Sequence, residues 1–331
     1  MTIPTVMANR SPFNHVIAFE VSKETLVVHA LPADEQCSVP NTPEAVRRLL
    51  KAEMKRNGRE KLGSLLVVCE ATGGYERHVL DAAIELGLSV HRAHGSRVRY
   101  FARYRGLIAK TDPIDARMLA EFGRETNGLR LYVPPPAESE TLKALQGRRS
   151  ELQAMIMAES NRLEHALNKT VLKSLKTNIK ALKVAMKAIE AEIAELVRSN
   201  EVLKAKTSLM RSVTGVGPVT ATTLLAYLPE IGQLTKGQVA RLSGLAPIND
   251  DSSKKIGRRH IEPGRQAIKR CLFMAAGVAM KSNAVLKVFA DRLRSAGHPF
   301  KYVVTAVMRK LVVILNAVLR DGEPWKGLKT A

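Results

Sequence analysis

Short apolar runs alternate with amphipathic stretches along residues 14–133. Five runs predict strands, at 15–20, 25–29, 36–39, 64–70 and 89–93. Of these, the run at 64–70 is apolar without interruption, which is typical of a strand buried on both faces. Helical patterns with an early proline or glycine pair occupy 42–56 and 73–86. Strands that alternate with helices predict a mixed α/β domain, preceded by a tail at 1–13.

A proline run at 134–136 marks a break, and residues 134–200 then read as a linker and a helical arm. One long helix is predicted at 139–167. The next helix carries apolar residues at alternating steps of four and three, namely Leu175, Ile179, Leu182, Met186, Ile189, Ile193 and Leu196. This is the seam of a coiled coil. The two helices either fold back as an antiparallel hairpin or pair between subunits, and the regular seam favours self-association.

Residues 201–331 predict a helical domain. Its segment 212–225 resembles a helix–hairpin–helix, in which Gly215 and Gly217 allow a tight turn and the following amides hold a phosphate. A plain glycine-rich turn is the alternative. Apolar patterns predict three closing helices, at 265–280, 284–296 and 302–319.

The charge of the chain indicates a polyanionic partner. Its 331 residues include 52 Lys and Arg against 31 Asp and Glu, a formal charge of +21. Such an excess favours nucleic acid, with an anionic membrane surface as the other possibility. The last apolar stretch is interrupted by Arg309 and Lys310, so we expect a buried helix, no membrane span and no signal peptide. Three scattered cysteines favour a reducing cytoplasm over a disulfide frame or a zinc site.

Four acids are placed where they can meet. Glu20 and Glu70 end two predicted strands, and ligands collect at the carboxyl ends of strands in open α/β sheets. Asp112 stands where a helix N-cap is expected, and Asp115 follows on the same helix face. Carboxylate oxygens suit Mg²⁺, and two such ions clamp the oxygens of a phosphodiester displacement. The plain alternatives are turn acids and a capped helix start.

Two basic segments are candidates for nucleic-acid contact. In the first, Arg97, Arg99 and Arg103 interleave with Tyr100, so that arginines contact phosphates and the ring stacks on a base. An amphipathic helix with basic side chains along its edge is the alternative. The second is a polar loop at 246–265 with paired serines. Its basic residues are Lys254, Lys255, Arg258, Arg259 and Arg265. By itself this loop reads as a phosphate-binding segment.

Three segments together resemble the transposases of the insertion sequence 110 family, which are relatives of the pilin-gene invertases. They are FEVSK at 19–23, CEATGGY at 69–75 and KTDPIDARMLA at 110–120. The resemblance implies an RNase H-like (RuvC-like) domain at 14–133 with four acids in an Asp-Glu-Asp-Asp pattern. Glu70, Asp112 and Asp115 match it, whereas Glu20 replaces an aspartate.

The resemblance also implies a chemistry and its partners. Ser252 matches the serine that is the DNA nucleophile of the family, and Ser253 stands where a glycine is usual. We therefore expect a bacterial, cytoplasmic, nucleoid-associated recombinase that uses Mg²⁺, forms a phosphoserine–DNA link and works with a guide RNA. The acids and the serine of one site can come from different subunits of a dimer or tetramer. The rivals are a metal-dependent nuclease or junction resolvase in which water attacks, and a nucleic-acid-binding relative impaired at Glu20.

Overall fold

The computed structural model describes residues 12–58, 63–107, 109, 111–248, 260–261 and 264–327. The chain divides into two compact units, Met1–Pro134 and Pro135–Ala331. The first is a mixed α/β unit and the second is built almost entirely of helices, as the sequence predicts.

A five-stranded sheet forms the centre of the first unit. Its strands are β1 (His15–Val21), β2 (Thr25–Leu31), β3 (Glu35–Pro40), β4 (Leu65–Glu70) and β5 (Ser89–Ala93). They lie in the order β3-β2-β1-β4-β5. The hairpin strands β1, β2 and β3 pair antiparallel, whereas β4 and β5 run parallel to β1. All five predicted strands are confirmed, and the carboxyl ends of β1, β4 and β5 meet at one edge.

Helices cover both faces of this sheet. They are α1 (Pro43–Asn57), α2 (Arg77–Glu85), α3 (Gly95–Tyr104) and α4 (Asp112–Glu125). The core between α1, α2 and the sheet contains Phe19 and Cys69, and the core on the opposite face contains Val68 and Leu119. A Cβ on Gly123 of α4 would lie 2.7 Å from Val68 Cγ2. The backbone of α4 therefore packs directly on β4.

The second unit is a helical hairpin followed by a cluster of shorter helices. Its elements are α5 (Ala137–His165), α6 (Lys169–Ser199), α7 (Glu201–Arg211), α8 (Pro218–Tyr227), α9 (Lys236–Leu242), β6 (Pro247–Ile248), β7 (His260–Ile261), α10 (Gln266–Ser282), α11 (Ala284–Ser295) and α12 (Phe300–Asp321). By length and composition α12 is apolar enough to span a membrane. Its ten buried residues, however, belong to this unit and include Val307, Leu311 and Leu315 of the core. This matches the prediction of a buried helix.

The two long helices fold back on each other within one chain. Only residues 166–168 separate α5 from α6, so the helices run antiparallel. Ile179 and Ile193 of the seam are buried, and an Arg149 nitrogen lies 2.8 Å from Glu190 Oε1 between the helices. The hairpin alternative is therefore the one the single chain adopts. Self-association through the arm stays a prediction.

Candidate functional site

Glu20 and Glu70 are neighbours on two parallel strands. Phe19 of β1 pairs with Cys69 of β4, so each glutamate is the next residue of its strand. Side chains alternate along a strand, and Phe19 and Cys69 point into the core beneath α1 and α2. The two half-buried glutamates therefore lie on the opposite face, which α4 covers.

The first turn of α4 carries the other two acids. Thr111 is the N-cap, so the prediction that Asp112 occupies the cap is wrong by one residue. The Asp115 amide donates to the Thr111 carbonyl at 2.8 Å, which continues the helix from that cap. Gln36 Nε2 of β3 donates to the Pro113 carbonyl at 3.1 Å and ties the helix start to the sheet. Asp112 is exposed and Asp115 is half-buried.

The Glu20, Glu70, Asp112 and Asp115 carboxylates do not form a closed cage. Within the described part of the chain, no three acidic, histidine or cysteine side chains lie close enough to hold one ion. The fold brings Glu20 beside Glu70 and packs the helix that carries Asp112 and Asp115 on the same face. All four are oxygen donors of the kind that hard divalent cations such as Mg²⁺ take.

Glu70 also faces the start of α3. Gly95 is the first residue of this helix, and a Cβ there would lie 2.1 Å from Glu70 Oε1. Helix starts carry partial positive charge, which favours the carboxylate at this point. A cleft of about 550 Å³ opens beside it. The cleft is lined by Glu70, Ala71, His94, Gly95, Ser96, Arg99, Tyr100 and Arg103. Three of the residues predicted to bind nucleic acid therefore share a cleft with one predicted metal ligand.

Other side chains of α3 are used for packing. The Arg97 guanidinium carbon lies 5.7 Å from the centre of the Phe122 ring of α4. Phe101 meets the same ring edge-on at 5.7 Å between ring centres. Tyr100, in contrast, is 69% exposed. The helix thus has a face toward α4 and a face of Arg99, Tyr100 and Arg103 open to a ligand.

Sequence reasoning missed Glu76, which organises the loop after Glu70. Its carboxylate is buried and accepts hydrogen bonds from the Gly74 amide at 2.8 Å and the Thr72 amide at 3.2 Å. The Arg92 guanidinium of β5 donates to it as well. Burial alone raises the pKa of Glu76, but the amide donors and the Arg92 charge outweigh burial and hold the pKa below its ordinary value. The available signal for this residue in the sequence was an acidic side chain directly after the Gly-Gly-Tyr segment at 73–75.

In the helical unit, the predicted glycine turn joins α7 to α8. Gly215 has a φ of +102°, and a Cβ there would lie 2.7 Å from Ala279 Cβ of α10. Glycine at this position therefore permits the turn between α7 and α8 to pack closely against α10. Gly217 is the exposed N-cap of α8.

Arg265 has its donors engaged inside the same unit. Its two terminal nitrogens contact the Glu230 carboxylate at 2.7 and 2.8 Å, and one also donates to the Tyr227 carbonyl at 2.8 Å. A bidentate pair of this kind fixes both side chains, which gives this predicted phosphate-binding residue a structural role.

The remaining predicted site residues lie outside the described residues. They are Ser252, Ser253, Lys254, Lys255, Arg258 and Arg259. The strands that flank residues 249–259 pair antiparallel, with Pro247 opposite Ile261 and Ile248 opposite His260.

Comparison with known proteins identifies the family of the chain. A family model described as a DEDD transposase of IS110 matches residues 20–172. A second, described as transposase IS116/IS110/IS902 family, matches 207–291. The chain therefore belongs to the IS110 family of transposases.

Proteins of similar sequence include pilin gene-inverting proteins and an insertion element protein. The chain is 27% identical over 266 residues to the pilin gene-inverting protein of Moraxella lacunata, an alignment that spans 79% of this chain and 82% of the relative. The protein of the same name from Moraxella bovis is also 27% identical over 266 residues. An uncharacterized insertion element IS110 protein of Streptomyces coelicolor is 28% identical over 154 residues, 46% of this chain and 37% of that protein.

Proposed function

We propose that this transposase cuts and rejoins DNA strands, and that Glu20, Glu70, Asp112 and Asp115 hold the Mg²⁺ ions it needs. The observation that carries the proposal is the position of Glu20 beside Glu70 on the face that α4 covers. The mixed sheet with helices on both faces supports the RNase H-like assignment. When bound, Mg²⁺ would polarise the scissile phosphate and neutralise charge that develops on its oxygens.

The cleft beside Glu70 would receive the DNA backbone. Arg99 and Arg103 supply charged donors for phosphates, and the exposed Tyr100 ring offers a surface for stacking. Glu76 is a positioning residue, because it holds the loop that continues from Glu70 without lining the cleft. The proposal thus assigns binding to α3 and metal ligation to the strand ends and to α4.

Ser252 would supply the nucleophile. Its oxygen forms a bond to phosphorus, the bond from phosphorus to one deoxyribose oxygen breaks, and the freed oxygen takes up a proton. Rejoining reverses these changes. Lys254, Lys255, Arg258 and Arg259 stand close in sequence and would stabilise the charged transition state. The support for this serine is the family resemblance, since the segment lies outside the described residues.

Further partners belong to the same proposal. The α7–α8 turn would act as a helix–hairpin–helix that holds a phosphate near Gly217. A structured guide RNA would bind elsewhere on this basic chain. The helical arm would assemble a dimer or tetramer as a coiled coil, so that the acids and the serine of one site come from different subunits.

A covalent-trapping experiment tests the chemistry. The full chain is incubated with Mg²⁺ and duplex DNA that spans the boundary of the genetic element encoding it, and protein–DNA adducts are resolved on denaturing gels. We expect an adduct with wild type and with Ser253→Ala, and none with Ser252→Ala. Cleavage without any adduct would reject the serine mechanism in favour of attack by water.

A further inference from the structure

A row of lysines runs along the first two thirds of α6. Its members are Lys173, Lys176, Lys180, Lys183 and Lys187. Steps of three and four place them on one face of the helix, and all five are exposed. With a rise of 1.5 Å per residue, this lysine row is about 21 Å long.

The lysine row has no acidic counterpart within the described part of the chain. The ion pairs of the hairpin lie elsewhere, for example Arg149 with Glu190 and Arg198 with Glu195. Like charges three and four residues apart destabilise a helix, so the row is unfavourable for the isolated hairpin. A polyanion lying along the row would remove this repulsion.

The surface around the row limits the kind of polyanion. A groove of about 380 Å³ lies among four of the lysines, next to Ile179 and Val184. Neither α5 nor α6 contains a Phe, Tyr or Trp residue, and single-stranded nucleic acid is usually held by stacking of bases on such rings. A rigid helix with a line of compact charges is better suited to phosphates of a duplex backbone.

We infer that the lysine row of α6 binds the phosphate backbone of duplex DNA without regard to base sequence. The inference goes beyond the proposed catalytic function, from which it takes only the choice of DNA. It assigns to the helical hairpin a role in holding DNA that is separate from the acids of the first unit and from Ser252.

Salt-dependent binding tests this inference. Equilibrium affinity for a duplex of arbitrary sequence is measured against KCl concentration for wild type and for a fourfold variant. The variant carries Lys176→Gln, Lys180→Gln, Lys183→Gln and Lys187→Gln. The slope of log K against log salt is negative, and each lost phosphate contact reduces its magnitude by about 0.9 for duplex DNA. We expect the slope to fall by about 2 to 4 and the affinity at low salt to fall at least tenfold.

A control variant removes the same charge elsewhere in the second unit. It carries Lys204→Gln, Lys287→Gln, Lys301→Gln and Lys326→Gln, all at exposed positions. Equal slopes for the two fourfold variants would overturn the inference, as would a loss confined to duplex RNA. The melting temperature of the α6 variant should not fall, because the change relieves repulsion. The readout of this test is binding and needs no cleavage, so failure of the catalytic proposal is distinguished from failure of this one.

Discussion

The carboxylate of Glu70 occupies the space into which any side chain at Gly95 would project. A Cβ at residue 95 would lie 2.1 Å from Glu70 Oε1 and 2.9 Å from its carboxyl carbon. The side chain at the end of β4 therefore packs directly against the backbone at the start of α3, beside the cleft. A glycine at this helix start leaves room for an anion that the proposed chemistry needs.

Gly95→Ala should impair catalysis more than folding. The clash is with the end of a flexible side chain, so the carboxylate moves aside and the melting temperature changes little. Because Mg²⁺ tolerates little error in ligand position, we expect DNA cleavage to fall by about tenfold or more, in line with losses seen when metal-ligand geometry is disturbed. Gly237→Ala in α9, where an added Cβ would meet nothing within 4 Å, is the control and should keep wild-type activity.

Changes at Glu20 separate a working enzyme from an impaired relative. Glu20→Gln removes one charge and should lower cleavage by about a hundredfold or more, since even outer ligand partners contribute up to about that factor. Glu20→Asp restores the residue that the family pattern has, and should retain or raise activity. If wild type neither cuts nor rejoins DNA while Glu20→Asp does, the chain is a binding protein in its natural form.

Glu76→Gln should destabilise the first unit in a pH-dependent way. The pKa of Glu76 is lower in the folded chain than its ordinary value, which is about 4.3 in an unfolded chain. The contribution of the ionised Glu76 carboxylate to the free energy of unfolding is therefore complete above about pH 4.3. It is lost as the pH falls through the folded-state pKa. We expect the free energy of unfolding to drop by about 2 kcal/mol at pH 7.

Urea unfolding of wild type and Glu76→Gln from pH 7 down to pH 3 measures this difference. The two curves should converge toward the acidic end, where the wild-type carboxyl is protonated. Glu85→Gln changes an exposed glutamate at the last position of α2 and controls for the loss of charge. A gap that stays constant with pH would mean that Glu76 acts by shape alone.

Arg265→Ala should act on stability and leave DNA affinity unchanged. The substitution leaves Glu230 without its bidentate partner, which should cost about 2 kcal/mol in the free energy of unfolding. The slope of log K against log salt should stay at the wild-type value. A slope reduced by about 1 with unchanged stability would instead make Arg265 a phosphate contact.

Helices and strands with a periodic sequence pattern were predictable, whereas individual side-chain contacts were not. The strands of the sheet and the long helices follow from runs and repeats, because burial imposes a period on the sequence. The seven-residue α9 (Lys236–Leu242) and the two-residue strands β6 and β7 are too short to show one. For α9, the capping box of Thr235 and Gln238 was the only local signal.

Side-chain partners explain the rest. Nothing in the sequence says that Arg265 meets Glu230 across 35 positions, or that Arg92 of β5 meets Glu76. These pairs arise from tertiary packing, which decides whether an arginine is engaged in an internal ion pair or is available to bind a ligand. The positions of the acids along the secondary structure were easier to predict, since strand ends and a helix start are local features of the sequence.

Metal binding tests the central claim most directly. Titration of the full chain with Mn²⁺, followed by the paramagnetic resonance of the free ion, needs no knowledge of the DNA target. We predict that Glu20→Gln, Glu70→Gln, Asp112→Asn and Asp115→Asn each weaken binding by about tenfold or more. Asp81→Asn, which changes an exposed acid of α2, should bind as wild type does. Unchanged Mn²⁺ affinity in all four site variants would contradict a shared metal site on this face of the sheet.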